Sequence, residues 1–148
     1  IARLKGITMI YHVIRLSIRH DAPEQEVAAA LEAMSSSGTQ VTSARSALFG
    51  RDVGGEFDYA AVSSFETLEE YEQMMNHPAH LEVDRIGLPL VDRFVSFDIT
   101  DDPDPGIEAR IAEIHRRRFA DHEDITELVS GIDSYSGSAA PTPAGKRP

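Results

Sequence analysis

An imidazole held in the first turn of a helix is the group in this sequence best suited to accept a proton, and His77-Pro78-Ala79-His80 supplies one. The residue before a proline is pushed towards extended geometry, so the helical run from Thr67 to Met75 is expected to break near Asn76-His77, with Pro78 opening a new helix. His80 then lies in that first turn, where unpaired backbone N–H groups and the positive dipole end disfavour imidazolium. It is expected to stay neutral near pH 7 and to be a candidate general base for a proton next to a carbonyl. His77 precedes the proline and is expected to cap the helix or face solvent, with contact to a bound molecule as its functional alternative. His12 lies in an alternating stretch beside Ile10 and Ile14, and Tyr59 shares a face with Phe57, Ala61 and Phe65. A zinc set could be drawn from His77 and His80 with Glu82, Asp84 or His12, but the proline kink points His77 away from His80. No metal site and no cofactor are expected.

The chain has no cysteine, which excludes disulfides, thiolate nucleophiles and zinc-thiolate sites and leaves His, Asp, Glu, Tyr and Ser to carry any chemistry. Its formal charge of −11 repels phosphate backbones, and the basic cluster His115-Arg116-Arg117-Arg118 sits within an acidic helix, so nucleic acid is not an expected partner. With 41% hydrophobic residues over 148 there is enough for one core. No run of about eighteen apolar residues and no signal peptide is present, so neither membrane insertion nor export is expected and the reading is cytoplasmic. Glycine-rich phosphate loops, Gly-x-Ser-x-Gly and Walker patterns are missing.

The elements that must position the histidines follow from periodicity. Met9 to Ile18 alternates, with Ile10, His12, Ile14, Leu16 and Ile18 on one face and Tyr11 and Val13 on the other. An amphipathic helix opens at Asp21-Ala22-Pro23-Glu24 and is expected to stop at Gly38. Val41 to Arg51 and Phe57 to Phe65 read as an antiparallel hairpin around Gly54-Gly55, and Thr67 opens the second helix with Leu68, Tyr71 and Met75 on one face. Leu90 to Thr100 alternates again, with Val91, Arg93, Val95, Phe97 and Ile99 opposite Asp92, Phe94, Ser96 and Asp98. Strand, helix, strand, strand, helix, strand is the split βαβ, ferredoxin-like α+β arrangement, with both helices on one face of the sheet. The other face is expected to carry Tyr11, Val13, Leu48, Val62 and Phe94, too apolar for solvent, so a second copy of the chain is expected to cover it as a homodimer.

Two prolines among acids in Asp101-Asp102-Pro103-Asp104-Pro105-Gly106 mark a boundary. The expected organisation is an N-terminal arm or remnant over 1–8, a domain over 9–100, a C-terminal helical extension over 101–130 carrying the stripe Ile107, Ile111 and Ile114, and a disordered tail over 131–148.

The order of elements, together with YHVIRL in the first strand, the stretch FDYAAVSSFETLEEYEQMMNHPAHLEV and the closing VDRFVSFDIT, resembles the stress-responsive A/B-barrel (Dabb) family over about residues 9 to 100. The resemblance implies a dimeric α+β barrel of two ferredoxin-like subunits. Many members have no assigned activity. Others are plant enzymes working without metal or organic cofactor, among them olivetolic acid cyclase, to which this chain bears a distant resemblance, and a hydroxynitrile lyase. Carried over by position, the cyclase's catalytic histidine falls on His80 and a pocket histidine on His12. A second pocket histidine falls on Tyr59 and the catalytic tyrosine on Met74, which do not match.

The leading expectation is a cofactor-independent enzyme of cyclase or lyase type acting on a small, apolar, polyketide-like carbonyl compound. His80 would be the base, Tyr59 a catalytic hydrogen-bond donor, His12 a group orienting the substrate oxygen, and Met74 and His77 further contacts. The alternative is a non-catalytic, stress-responsive dimeric barrel with a structural or binding role. The enzyme reading requires His12, His80 and Tyr59 to converge on one enclosed pocket; the scaffold reading requires side chains to fill it.

Overall fold

The alternating first strand becomes the centre of a sheet in the computed structural model, which describes residues 6–140. Residues 1–5 of the expected arm and 141–148 of the expected tail lie outside the described residues. Strands β1 (Ile10–Ile18), β2 (Ser46–Arg51), β3 (Tyr59–Phe65), β4 (Val91–Thr100) and β5 (Ser134–Gly137) lie in the order β2-β3-β1-β4-β5. The first four are antiparallel, and β5 joins β4 in parallel. Helices α1 (Glu24–Gln40), α2 (Leu68–Asn76), α3 (Pro78–Gly87), α4 (Ile107–Asp121) and α5 (Glu123–Ser130) complete the element order. The ferredoxin-like αβ plan is therefore present, with one strand and two helices added after it.

Local chemistry explains the boundaries. Helix α1 does not stop at Gly38 but runs to Gln40. The hydroxyls of Ser36, Ser37 and Thr39 donate back to carbonyls three residues earlier, so this polar run remains helical. Strand β2 starts at Ser46 rather than Val41, and Gly54 takes a φ of +84° in the turn that follows. Thr67 caps α2 by accepting from the Glu70 N–H at 3.1 Å. The break falls at His77, which is extended (φ −64°, ψ 134°), and Pro78 starts α3.

One strand face differs from the sequence reading. The register shifts between Ser17 and Ile18, so Ile18 pairs with Val91 while Ser17 pairs with Arg93. The bulge inverts the pattern beyond it. Phe94, Ser96 and Asp98 point to the helices beside Leu16, Ile14 and His12, and Phe94 leaves the open face to which parity had assigned it. The open face instead carries Tyr11, Leu48, Phe97 and Ile99, which are 41%, 70%, 38% and 57% exposed.

The residues after 101 are part of the core. Ile111 and Ile114 of α4 pack with Ile10, Phe65, Tyr71 and Met75, and Ile125 and Val129 of α5 pack with Leu81, Leu88, Val91 and Phe94. Phe65, Tyr71 and Ile125 are 0% exposed, each worth roughly 1.5–3 kcal/mol of burial. Within the stretch expected to be a disordered tail, Ser134–Gly137 is a strand. Gly137 has a φ of +115°, and a Cβ there would stand 1.6 Å from the Ser96 carbonyl oxygen, so only glycine lets this segment dock so closely on β4.

Candidate active site

The His-Pro break frees a backbone carbonyl, and that carbonyl organises half of the site. In an unbroken helix Met75 O would accept from the Ala79 N–H, but that N–H donates instead to His77 Nδ1 at 3.1 Å. Met75 O accepts from His80 Nδ1 at 3.2 Å and from Arg118 Nε at 2.9 Å. A donating Nδ1 fixes the tautomer, leaving His80 Nε2 as the basic nitrogen. Burial pushes the His80 pKa below its ordinary value, opposed by the Asp84 carboxylate, whose Oδ1 is 3.9 Å from Nε2. Asp84 also pairs with the Arg118 guanidinium.

The second half is a buried network on β1, α2, β4 and α4. His12 Nδ1 lies 2.9 Å from Asp98 Oδ1, which also accepts from the Tyr71 hydroxyl at 2.9 Å. Burial alone would raise the Asp98 carboxyl, but the His12 and Tyr71 contacts hold it below the usual range, so it is ionised and accepts both bonds. Burial and Asp98 push the Tyr71 hydroxyl well above its ordinary value, so it keeps its proton. That single proton goes to Asp98, and the 2.8 Å bond between Tyr71 and His115 Nε2 must therefore be donated by His115. His115 Nδ1 is then bare, and it has no hydrogen-bond partner among the described residues. Burial, then the His12 charge, pushes His115 down to about 3, in keeping with a neutral ring 2% exposed.

With Nδ1 held by Asp98, the remaining nitrogen of His12 is Nε2, on a ring that lines two adjoining lobes of a cavity. The lobes measure about 100 and 220 Å³ and share His12, Ile14, Met34, Phe49 and His80. Apolar residues of α1 roof the first lobe, and no residue of α1 is fully buried, so this helix is a loosely seated cover. Arg118 and Asp84 also line that lobe.

Of the residues singled out from sequence, His12 and His80 meet on this cavity, and Met74 lines its larger lobe. Tyr59 does not join them. Its ring stacks on Phe49 with centroids 5.7 Å apart, and it lines a separate depression near Asp52 and Phe57. His77 is not on the cavity either; its ring caps α3. The sequence reading missed Asp98, Tyr71, His115 and Arg118 as site residues, and it named Asp84 only as a possible zinc ligand. A signal existed for two of them. His115 and Arg118 continue the stripe of Ile111 and Ile114 at helical spacing, whereas grouping them with Arg116 and Arg117 as one basic cluster hid it. Among the described residues no three His, Cys, Asp or Glu side chains are grouped to hold a metal ion, and no helix is long and apolar enough to cross a membrane.

The stress responsive A/B barrel domain matches residues 10–101, from the start of β1 to just past β4. The chain belongs to that family. The A/B-barrel domain here resembles a dimeric ferredoxin-like protein of unknown function from Thermobifida fusca, with a TM-score of 0.56 at 20% identity over 66% of this chain and 94% of that one. A Dabb family protein with a ferredoxin-like fold from Mesorhizobium loti gives 0.54 at 18% identity, covering 62% and 95%. A hydroxynitrile lyase from Passiflora edulis gives 0.57 at 12% identity, covering 66% and 97%. These likenesses show the shared ferredoxin-like fold. No curated protein matches the chain. In this A/B-barrel protein, His115 and Arg118 lie outside the matched domain, yet their side chains reach its interior.

Proposed function

We propose that this A/B-barrel protein is a cofactor-independent enzyme of cyclase or lyase type that moves a proton on a small, largely apolar carbonyl compound. The observation that carries the reading is the pair His12 and His80. Each has Nδ1 held by a fixed partner, and both rings line one mostly apolar cavity. His80 Nε2 is the base that takes a proton from the carbon next to the carbonyl. His12, backed by the Asp98 carboxylate that compensates a proton on its ring, donates from Nε2 to the substrate oxygen. A pure scaffold has no need of open lobes beside two tethered imidazoles. The likeness to the Passiflora edulis hydroxynitrile lyase supports the same class of chemistry.

The chain acts as a homodimer in this reading. The exposed apolar side chains of the open face favour a second copy there, as does the dimeric state of the Thermobifida fusca relative. The test is hydrogen–deuterium exchange at the α-carbon of 2,4-pentanedione and simple ketones, followed by NMR. The wild-type chain is expected to accelerate exchange, and His80→Asn to lower the rate about 10²- to 10⁴-fold. Equal rates for wild type, H80N and buffer would refute the proposal.

A further inference from the structure

Arg118 is the buried group that the proton-transfer scheme does not use. It is 5% exposed, yet only part of its guanidinium is satisfied by protein: Nε donates to Met75 O at 2.9 Å and Nη2 pairs with Asp84. Nη1 makes no hydrogen bond among the described residues, and the side chain lines the same lobe as His12 and His80. A guanidinium carries five donors in a rigid plane, so an edge left free of protein can donate to a molecule in the lobe. The two contacts it has are ones that aim it. The Met75 carbonyl, freed by the His-Pro break, fixes one edge of the plane and Asp84 another, and His80 hangs from the same carbonyl. The arrangement therefore sets a base and a fixed cationic donor at one end of an otherwise apolar space.

We propose that Arg118, supplied by α4 outside the family domain, is a second oxyanion-binding residue of this site beside His12, its Nη1 donating to a carbonyl oxygen of the ligand while His80 removes the neighbouring carbon's proton. The proposal rests on the proton-transfer reading above. The C–H bond breaks, its proton passes to His80 Nε2, and its electron pair moves into the enolate whose oxygen faces Arg118. The imidazolium so formed stands 3.9 Å from Asp84 Oδ1, so the new positive charge has a partner. His80 returns to its neutral form when its proton goes back to the enolate carbon, or when the enolate attacks a carbonyl carbon and the alkoxide so formed takes that proton. The ligand class is an enolisable carbonyl compound with an apolar body, since apolar side chains of β1, α1 and β4 form the walls. In this chain the C-terminal extension is thus part of the catalytic machinery rather than an appendage.

The full chain is titrated with 2,4-pentanedione, following the enolate absorbance of the bound diketone, and α-carbon exchange is measured in parallel. The wild type is expected to bind the enolate in preference to the neutral form, lowering the diketone's apparent pKa relative to solution. Arg118→Gln is expected to weaken that preference and slow exchange about 10²- to 10³-fold, the usual effect of removing one oxyanion donor. Arg118→Lys, which keeps a charge, should recover part of both. H80N separates the two ideas, since it should lose exchange while still favouring the enolate. Wild-type exchange with no preference for bound enolate, or R118Q and R118K equal to wild type, overturns the role of Arg118 alone. A wild-type chain that neither exchanges nor binds overturns both readings. Should R118Q fail to fold, the wild-type titration and R118K decide the matter.

Discussion

His115 makes the stability of this protein depend on pH in a window whose upper part lies above the ordinary carboxylate range. Its ring is held neutral with a folded pKa of about 3, whereas an unfolded histidine titrates near about 6.5. Between those values the unfolded chain binds a proton that the folded one refuses. Stability therefore falls as pH falls through the window and levels off below the folded value. For these two pKa values the loss is about 2 kcal/mol between pH 7 and pH 5, and about 3 kcal/mol by pH 4. His80, whose pKa is displaced in the same direction, adds to the slope, so the His115 share must be isolated. His115→Gln does this, because an amide N–H can still donate to Tyr71 while nothing at the position titrates. Urea unfolding at pH 7, 6 and 5, with the m-value checked for constancy, is the assay. H115Q is expected to be the less stable protein at pH 7, with its deficit shrinking by about 2 kcal/mol at pH 5. Curves that stay parallel to within about 0.5 kcal/mol would refute the assignment of a buried neutral ring.

Tyr71→Phe removes the hydroxyl that bonds Asp98 and receives His115 Nε2–H, stranding a buried donor, so a loss of about 2–4 kcal/mol in urea unfolding is expected. Gly137→Ala places a methyl against the Ser96 carbonyl and should detach β5, read as faster amide exchange along the β4 edge while the antiparallel strands keep their protection. Leu48→Glu or Phe97→Glu puts charge on the open sheet face; a shift from dimer to monomer mass by light scattering is expected, and an unchanged mass would remove the proposed interface. Asp98→Asn keeps the size of the residue but not its charge, and should reduce α-carbon exchange through His12 while leaving the His80 environment, read by its NMR shifts, unaltered.

Local rules were enough to read the ferredoxin-like order, the hairpin glycine, the His-Pro break with His80 in the first turn after it, and the placement of His12 towards the helices from sequence. Each of these depends on neighbours a few residues away: alternation sets a strand face, a proline breaks a helix, a glycine permits positive φ. The rest was decided by contacts across the fold. A single bulge opposite Ser17 and Ile18 reversed the facing of β4, which is why Asp98 stands beside His12 and Phe94 left the open face. The cluster His115-Arg116-Arg117-Arg118 was read as one basic group because charge dominates its composition, but α4 packs on α2 and turns two of the four inward, to Tyr71 and to the Met75 carbonyl. Tyr59 fell outside the cavity because its ring stacks on Phe49 of the neighbouring strand, a contact that no single segment reveals. Sequence thus determined which groups are able to do chemistry; the tertiary structure decided which of them meet, because burial, register and a carbonyl released by a broken helix belong to no single segment.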